Sequence, residues 1–175
     1  GAWFRFEPRW KVSAEGDPVL IGDQIKLSCV KLLGHAVHGA AEHLDRDPLG
    51  RFEVNLSTSS SNVAWKLNLF SKWGAQFDRV LNFGEAVRLH HTESAAFVSG
   101  TCNRMRSKAP YLDMAPSPKT PDGRVANNTR AKTVFRVEAV VRSRGGAVNF
   151  NMAGSEYDEA KVVRFRHVPT GRYLA

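Results

Sequence analysis

The residues best suited to chemistry in this sequence are the arginines and lysines of one basic stretch, residues 104–144. That stretch carries 10 Lys or Arg against 3 Asp or Glu, whereas residues 1–103 carry 11 of each and residues 145–175 carry 4 against 3. Seven of the eight net positive charges of the 175-residue chain therefore lie in 41 residues. Because guanidinium and ammonium groups bind phosphate and carboxylate oxygens, the stretch predicts either an anion-binding surface or a solvated basic face.

Other reactive residue types occur without the spacing that a catalytic or metal site needs. His35 with His38, and the adjacent His90 and His91, have no cysteine or carboxylate set beside them that would complete four metal ligands, so no metal site is predicted. The sequence contains no GxSxG, GxxxxGK[ST] or HExxH motif. These patterns argue against hydrolase and nucleotidase functions, and we predict a chain that is not an enzyme and has no cofactor.

Tryptophan side chains could provide stacking platforms for sugars or nucleic-acid bases. Trp10 and Trp65 lie in alternating segments and are therefore predicted in the core, whereas Trp73 lies in a predicted linker where it could pack against a neighbouring domain. A nucleic-acid site would combine the basic stretch with exposed aromatic side chains, but that stretch offers only Tyr111 and Phe135. Nucleic acid is therefore not predicted as a partner.

The elements that must position these residues are short strands. Alternation of apolar and polar residues, interrupted by glycine, proline and aspartate turns, is typical of half-buried strands, and no helix has a sustained apolar stripe. The weak helical candidate, Gly34 to Arg46, is predicted as a turn or a short helical piece. The alternating segments are Phe4 to Phe6, Ile25 to Cys29, Val63 to Leu69, Val87 to Leu89, Phe135 to Ala139 and Val163 to His167.

Three segments, residues 21–38, 83–98 and 162–174, repeat one pattern of a strand, a polar tip and an apolar return. Leu27, Leu89 and Phe165 hold equivalent places, separated by 62 and 76 residues. A hairpin of this size cannot bury a core alone, so repeated hairpins are expected to assemble around an axis. The predicted fold is all-β, a β-trefoil rather than a sandwich.

Two features concern the organisation of the chain. Residues 109–124 contain four of the eight prolines and are predicted as an exposed loop within the basic stretch. The sequence begins with Gly1 rather than methionine and stops inside a predicted strand, which predicts a piece of a longer protein. It has neither a signal peptide nor an apolar run of about 20 residues, and the two separated cysteines, Cys29 and Cys102, are typical of reduced thiols or one disulfide.

Several segments carry a family resemblance, and they follow one another in order over nearly the whole chain. The hairpins resemble the MIR pattern, which is also found in ryanodine receptors and protein O-mannosyltransferases. The Gly-Asp-x-x-x-Ile-Gly-Asp segment, residues 16–23, and the Trp-Lys-x-x-Leu-Phe segment, residues 65–70, resemble the N-terminal region of inositol 1,4,5-trisphosphate receptors. The segments are residues 6–12, 15–23, 53–55, 64–70, 84–91 and 163–175.

That resemblance implies a regulatory β-trefoil region of a tetrameric calcium-release channel, on the cytosolic face of an endoplasmic reticulum-like membrane. Its expected partners are inositol 1,4,5-trisphosphate, a neighbouring helical domain and the adjacent subunits of a homotetramer. A boundary between a suppressor-like trefoil and the β half of a ligand-binding core is expected near residues 71–82. The alternative is a glycan-binding MIR module like that of protein O-mannosyltransferases.

The resemblance also implies candidate ligand residues. Arg88 matches an arginine of the family's Val-Arg-Leu strand, and Gly123 and Arg124 match the Gly-Arg end of its Arg-Thr-Thr-Gly-Arg loop. Thr120 stands at the first arginine of that loop, a role that Lys119 could take, while Pro121 lacks the backbone donor and Asp122 adds a negative charge. Arginine forks suit phosphate oxygens, and glycine lets the backbone approach them. Where the family has a further lysine this chain has an alanine, so the implied inositol phosphate site is half complete and predicts weak binding.

Overall fold

The computed structural model describes residues 2–10, 12–43, 52–70, 79–101, 111–116, 131–140, 146–151 and 162–174. These residues form ten strands and one short 3-10 helix, η1 (Ala131–Thr133). The strands are β1 (Phe4–Pro8), β2 (Gln24–Cys29), β3 (Ala36–His43), β4 (Phe52–Ser57), β5 (Trp65–Leu69), β6 (Ala86–His91), β7 (Ala96–Thr101), β8 (Tyr111–Pro116), β9 (Phe135–Ala139) and β10 (Val163–His167).

Six of these strands close a barrel. They follow the order β1-β10-β9-β6-β5-β2, and the pairing of β1 with β2 completes the ring. The remaining four form two hairpins, β3–β4 and β7–β8, which pair with each other through β4 and β8. A six-stranded barrel with a cap of hairpins is the β-trefoil architecture, so the predicted fold is confirmed.

The barrel is built from three equivalent strand pairs, β1–β2, β5–β6 and β9–β10. At the level of the cap, Phe4 faces Cys29, Trp65 faces His91 and Phe135 faces His167. In the middle of the barrel, Leu27, Leu89 and Phe165 each face a buried apolar residue, respectively Phe6, Leu67 and Val137. The predicted equivalence of Leu27, Leu89 and Phe165 is therefore confirmed.

The three repeats meet in a ring of backbone hydrogen bonds at the end of the barrel away from the cap. The amide of Val19 donates to the carbonyl of Val148, that of Leu81 to Val19, and that of Val148 to Leu81, each at 2.8 Å. All three side chains are buried. Each repeat is thus hydrogen-bonded to the other two, and the loss of one repeat would break the ring.

Two buried histidines lock the cap to the barrel in the same way. His91 lies 3.0 Å through Nε2 from the carbonyl oxygen of Asn62 and 2.6 Å through Nδ1 from the hydroxyl of Ser94. His167 repeats this arrangement with Lys132 and Thr170, at 2.8 Å for each contact. Since a carbonyl only accepts, Nε2 carries the proton in both rings, and burial, which lowers the pKa of both histidines, favours the neutral form in which Nδ1 accepts from the hydroxyl.

A glycine of the preceding cap hairpin lies against each histidine. A Cβ atom added to Gly39 would come within 3.0 Å of His91 Nε2, and one added to Gly100 within 2.8 Å of the His167 ring. The cap strands can approach the barrel this closely because they lack side chains at these positions. The first repeat has the buried Cys29 in place of a histidine.

Two predictions about local structure were wrong. The segment from Gly34 contains strand β3 rather than a turn or a helical piece, because its backbone pairs with β4 over Ala36–Gly39. Residues 111–116 of the predicted proline-rich loop form β8, which pairs with β7 from Ala96 to Thr101. In both segments, pairing within the cap overrides the weak local pattern.

The histidine contacts predict how stability depends on pH. Burial lowers the pKa of His91 and His167, and burial with the nearby Lys66 and His91 lowers that of His90 to about 4. In the unfolded chain these histidines bind protons with their ordinary pKa of about 6.5. Their contribution to the free energy of unfolding is therefore fully present above pH 6.5 and is lost as the pH falls from about 6.5 toward 4. The free energy of unfolding in urea should therefore decrease steadily from pH 7.5 to pH 4.5.

Variants identify the source of that decrease. His91→Gln and His167→Gln should be less stable at pH 7.5, by about 1–3 kcal/mol each, because a buried carbonyl loses a well-placed donor. Their stability should also depend less steeply on pH than that of the unaltered chain. An unaltered chain whose stability is constant or rises between pH 6.5 and 4.5 would contradict this account.

Candidate anion-binding site

Of the predicted ligand residues, Arg88 lies in the described part of the chain. It is in the middle of β6, and its side chain points away from the barrel interior because its neighbours Val87 and Leu89 belong to the core. Lys119, Thr120, Gly123 and Arg124 lie outside the described residues. Their role in ligand binding, like that of Arg88, stays a prediction.

The Arg88 side chain is covered although it points outward. It is 1% exposed. Its Nε donates a hydrogen bond to Oγ1 of Thr133 at 3.1 Å, and its guanidinium carbon lies 4.6 Å from the ring centre of Phe70. Burial lowers the pKa of Arg88 from its usual high value, yet the group remains a cation. A positive charge is thus fixed between β6 and η1.

The equivalent outward cations of the other two repeats are compensated by carboxylates. Lys26 faces Glu7 across the strand pair, with Nζ 3.2 Å from Oε2, and Arg164 faces Glu138, with Nε 3.3 Å from Oε2. Arg88 faces Asn68. The neutral Asn68 therefore stands where each of the other two repeats places a glutamate opposite its outward cation.

The helix η1 lies within the basic stretch and contacts Arg88. Its last residue, Thr133, is buried and accepts the Arg88 hydrogen bond, while the carbonyl of Lys132 is held by His167. The chain therefore enters β9 from residues 117–130 at a point anchored by Arg88 and His167.

Sequence reasoning missed Asn68, Phe70 and Thr133. A signal for Asn68 was present, since alignment of the three repeats places Glu7, Asn68 and Glu138 at one position. Thr133 and Phe70 had no such signal, because their contacts with Arg88 depend on how η1 and the end of β5 pack on β6.

Apart from the Arg88 region, the structure has an open cleft of about 260 Å³. The Trp10 side chain on its wall is 59% exposed, so the prediction of a core position for Trp10 was wrong, whereas Trp65 is fully buried as predicted. The Trp10 indole N–H donates to Oε1 of Gln24 at 3.2 Å, which fixes the ring. The cleft is lined by Pro8, Trp10, Val12, Ser13, Gly22, Asp23, Gln24, Lys66 and Phe150.

The described ranges also bear on metal binding and on membrane insertion. Among these residues no three His, Cys, Asp or Glu side chains are placed to hold a metal ion. No helix there is long and apolar enough to cross a membrane. Cys29 is a buried free thiol.

Comparison with known solved structures supports the fold. The SDF2-like protein of Arabidopsis thaliana superposes with a TM-score of 0.62 at 14% identity, over 90% of this chain and 77% of that one. The Saccharomyces cerevisiae protein O-mannosyltransferase Pmt1-Pmt2 complex superposes with a TM-score of 0.59 at 19% identity, over 97% of this chain and 23% of that one. At these identities the likeness concerns the fold alone.

Sequence comparison identifies the family. The chain is 26% identical over 184 residues to the inositol 1,4,5-trisphosphate receptor itr-1 of Caenorhabditis elegans, an alignment that covers all of this chain and 6% of that protein. Residues 1–76 match the family model for the inositol 1,4,5-trisphosphate/ryanodine receptor, and residues 79–175 match that for the MIR domain. The predicted resemblance is confirmed, and the chain belongs to the MIR domain family, whose model matches more than half of it.

Proposed function

We propose that the chain is a non-catalytic, ligand-sensing region of an inositol 1,4,5-trisphosphate receptor-like calcium-release channel. The observation that carries the proposal is the match of residues 1–76 to the family model for the inositol 1,4,5-trisphosphate/ryanodine receptor. Arg88, which faces the neutral Asn68 where the other two repeats have glutamates, adds a candidate phosphate donor. The similarity to the receptor itr-1 supports the nature of the ligand. The ligand we assign is an inositol polyphosphate, whose phosphate groups match arginine donors.

Several donors would act together in this site. Arg88 supplies a fixed cation, and Lys119, Thr120, Gly123 and Arg124 supply further donors from the basic stretch that precedes η1. Since Arg88 is almost fully buried, a phosphate reaches it only if the groups that cover it move. Binding by this chain alone is therefore expected to be weak and to involve a local rearrangement around η1.

In the longer protein, the same rearrangement would act by linkage. If the ligand binds one arrangement of the trefoil and its neighbouring helical domain more tightly, that arrangement becomes more populated, and the adjacent subunits of a homotetramer respond to it. We place the region on the cytosolic face of an endoplasmic reticulum-like membrane. The similarity to the C. elegans receptor, of which the chain spans 6%, supports these partners and this location.

The proposed domain boundary near residues 71–82 accords with the point at which one family match ends at residue 76 and the next begins at residue 79. Strands β1, β2 and β5 precede it, and β6, β9 and β10 follow it. We infer that repeats assigned by the family to two consecutive trefoils close one barrel here, in permuted order.

A second candidate function is glycan binding, and the Trp10 cleft favours it. The exposed indole is held by Gln24, and the polar side chains of Asp23 and Lys66 line the same cleft. An aromatic face beside a few polar groups is a common arrangement in small-ligand sites. The structural likeness to a protein O-mannosyltransferase complex concerns this same fold.

The glycan candidate is tested by tryptophan fluorescence. If a sugar stacks on Trp10, titration with mannose should change the emission in a saturable way, and Trp10→Ala should abolish the change because the other described tryptophans, Trp3 and Trp65, are not in the cleft. Inositol serves as a control for polyols in general. An emission spectrum that does not change up to about 100 mM mannose would exclude this candidate.

The inositol phosphate proposal is tested by amide NMR titration with inositol 1,4,5-trisphosphate. The unaltered chain should show saturable shifts around Arg88 and η1. Arg88→Gln should weaken binding about tenfold or more, since hydrogen bonds to charged groups contribute about 1.5–3 kcal/mol. Lys26→Gln, the same change at the equivalent position of the first repeat, should alter the dissociation constant less than about twofold.

Asn68→Glu tests the proposal more specifically than Arg88→Gln does. It restores the carboxylate found in the other two repeats, so it should keep the fold and remove binding. Binding that is unchanged by Asn68→Glu, or reduced equally by Arg88→Gln and Lys26→Gln, would show that the charge at Arg88 is not what the ligand recognises.

A further inference from the structure

Two arginines face each other directly on the outer surface of the β9–β10 pair. Arg136 and Arg166 are cross-strand partners, and both are exposed, Arg166 with 49% of its side chain. Directly opposed residues in antiparallel strands have Cβ atoms about 5 Å apart, and like charges there are destabilising. The pair therefore costs stability in the isolated chain.

Nearby carboxylates do not neutralise this pair. Within the described ranges Glu138 is the acidic neighbour of Arg166, at 3.9 Å from Nη1, but it also binds Arg164 at 3.3 Å and accepts a hydrogen bond from the hydroxyl of Tyr173 at 3.0 Å. Arg136 forms no ion pair or side-chain hydrogen bond with any residue that the structure describes. One carboxylate is thus shared by Arg164 and Arg166, and no carboxylate of the described residues forms an ion pair with Arg136.

The other two repeats do not oppose cations at this position. The residues equivalent to Arg136 are Arg5 and Lys66, which face Ser28 and His90. His90 is held neutral near pH 7, because burial lowers its pKa to about 4. The opposed arginines are therefore a feature of the third repeat and not a requirement of the barrel.

An apolar side chain lies beside the arginines. Val168, in the turn directly after β10, is 48% exposed, and the exposed Arg172 lies on the returning side of the same turn. Nε of Arg166 donates to the carbonyl of Gly171 at 3.3 Å, which ties the arginine pair to this turn. We call the surface formed by Arg136, Arg166 and Val168 the arginine strip.

We propose that the arginine strip is a docking surface for an acidic polypeptide segment of a partner protein. The strip combines a concentrated positive charge with one exposed aliphatic side chain, which suits a chain of carboxylates that carries an apolar residue. A second copy of this chain is a poor partner, since it carries a net charge of +8. An acidic segment would supply the carboxylates that Arg136 and Arg166 lack between them.

The experiment uses a defined probe, the peptide acetyl-Glu-Glu-Leu-Glu-Glu-Leu-Glu-Glu-amide, titrated into the chain at 100 mM salt and followed by amide NMR. Saturable shifts are expected in β9, in β10 and in the turn at Val168. Arg136→Glu should weaken binding tenfold or more. It should also raise the melting temperature, because it replaces the like-charge pair by an ion pair with Arg166. The melting temperature thus verifies that the variant is folded.

Matched controls separate this surface from general charge. Lys31→Glu makes the same charge change on an exposed turn of the first repeat and should alter the peptide dissociation constant less than about twofold. A glutamine analogue of the peptide should not bind. Equal weakening by Arg136→Glu and Lys31→Glu would overturn the proposal, since binding would then follow net charge.

Titrations with two sources of phosphate distinguish a polypeptide partner from one that carries phosphate groups. Inorganic phosphate and vesicles containing phosphatidylserine should not produce the same shifts at millimolar concentration. If either does, and Arg136→Glu removes them, the strip recognises phosphate groups and the polypeptide proposal is wrong. Inositol 1,4,5-trisphosphate should shift amides around Arg88 and η1, whereas the peptide should shift amides in β10 and in the turn at Val168, so the two proposals can fail separately.

Discussion

The ring of three backbone hydrogen bonds between Val19, Leu81 and Val148 is the constraint on which the rest of the structure depends. Because the ring is made of amides and carbonyls, it fixes the relative positions of the three repeats without requiring particular side chains outside the core. Core positions can then vary in type, as they do where Leu27, Leu89 and Phe165 face Phe6, Leu67 and Val137. Positions on the outer surface of the barrel can vary even more in residue type.

The departures from threefold symmetry are where the candidate functions lie. Two repeats compensate their outward cation with a glutamate, and the second has Asn68. Two repeats anchor the cap with a histidine, and the first has Cys29. A feature that all three repeats share is explained by the barrel, whereas a feature of one repeat needs another cause. By this criterion Arg88 is a stronger candidate for a ligand-binding residue than its burial alone would indicate.

Much of the fold could be predicted from the sequence, because barrel strands have one face in the core and therefore alternate. The strand β3 was missed since its Ala, Gly and His residues do not alternate, and its strand conformation depends on pairing with β4. Trp10 was misassigned because it follows the alternating β1 segment, although that strand ends at Pro8. Alternation placed Arg88 on the outside of the barrel, but only the packing of η1 shows that it is covered. The loop residues matched to the family's ligand site lie outside the described residues, so their part of the site rests on the resemblance.

The central claim is that segments matching two family models, residues 1–76 and 79–175, close one barrel through a shared ring. Native-state hydrogen exchange at the amides of Val19, Leu81 and Val148 tests it most directly. If the ring holds all three repeats, the three amides should open with the same free energy, equal to that of global unfolding in urea. An opening that exposes Val19 at lower free energy while Leu81 and Val148 stay protected would show that the repeats fold separately, and would contradict the account.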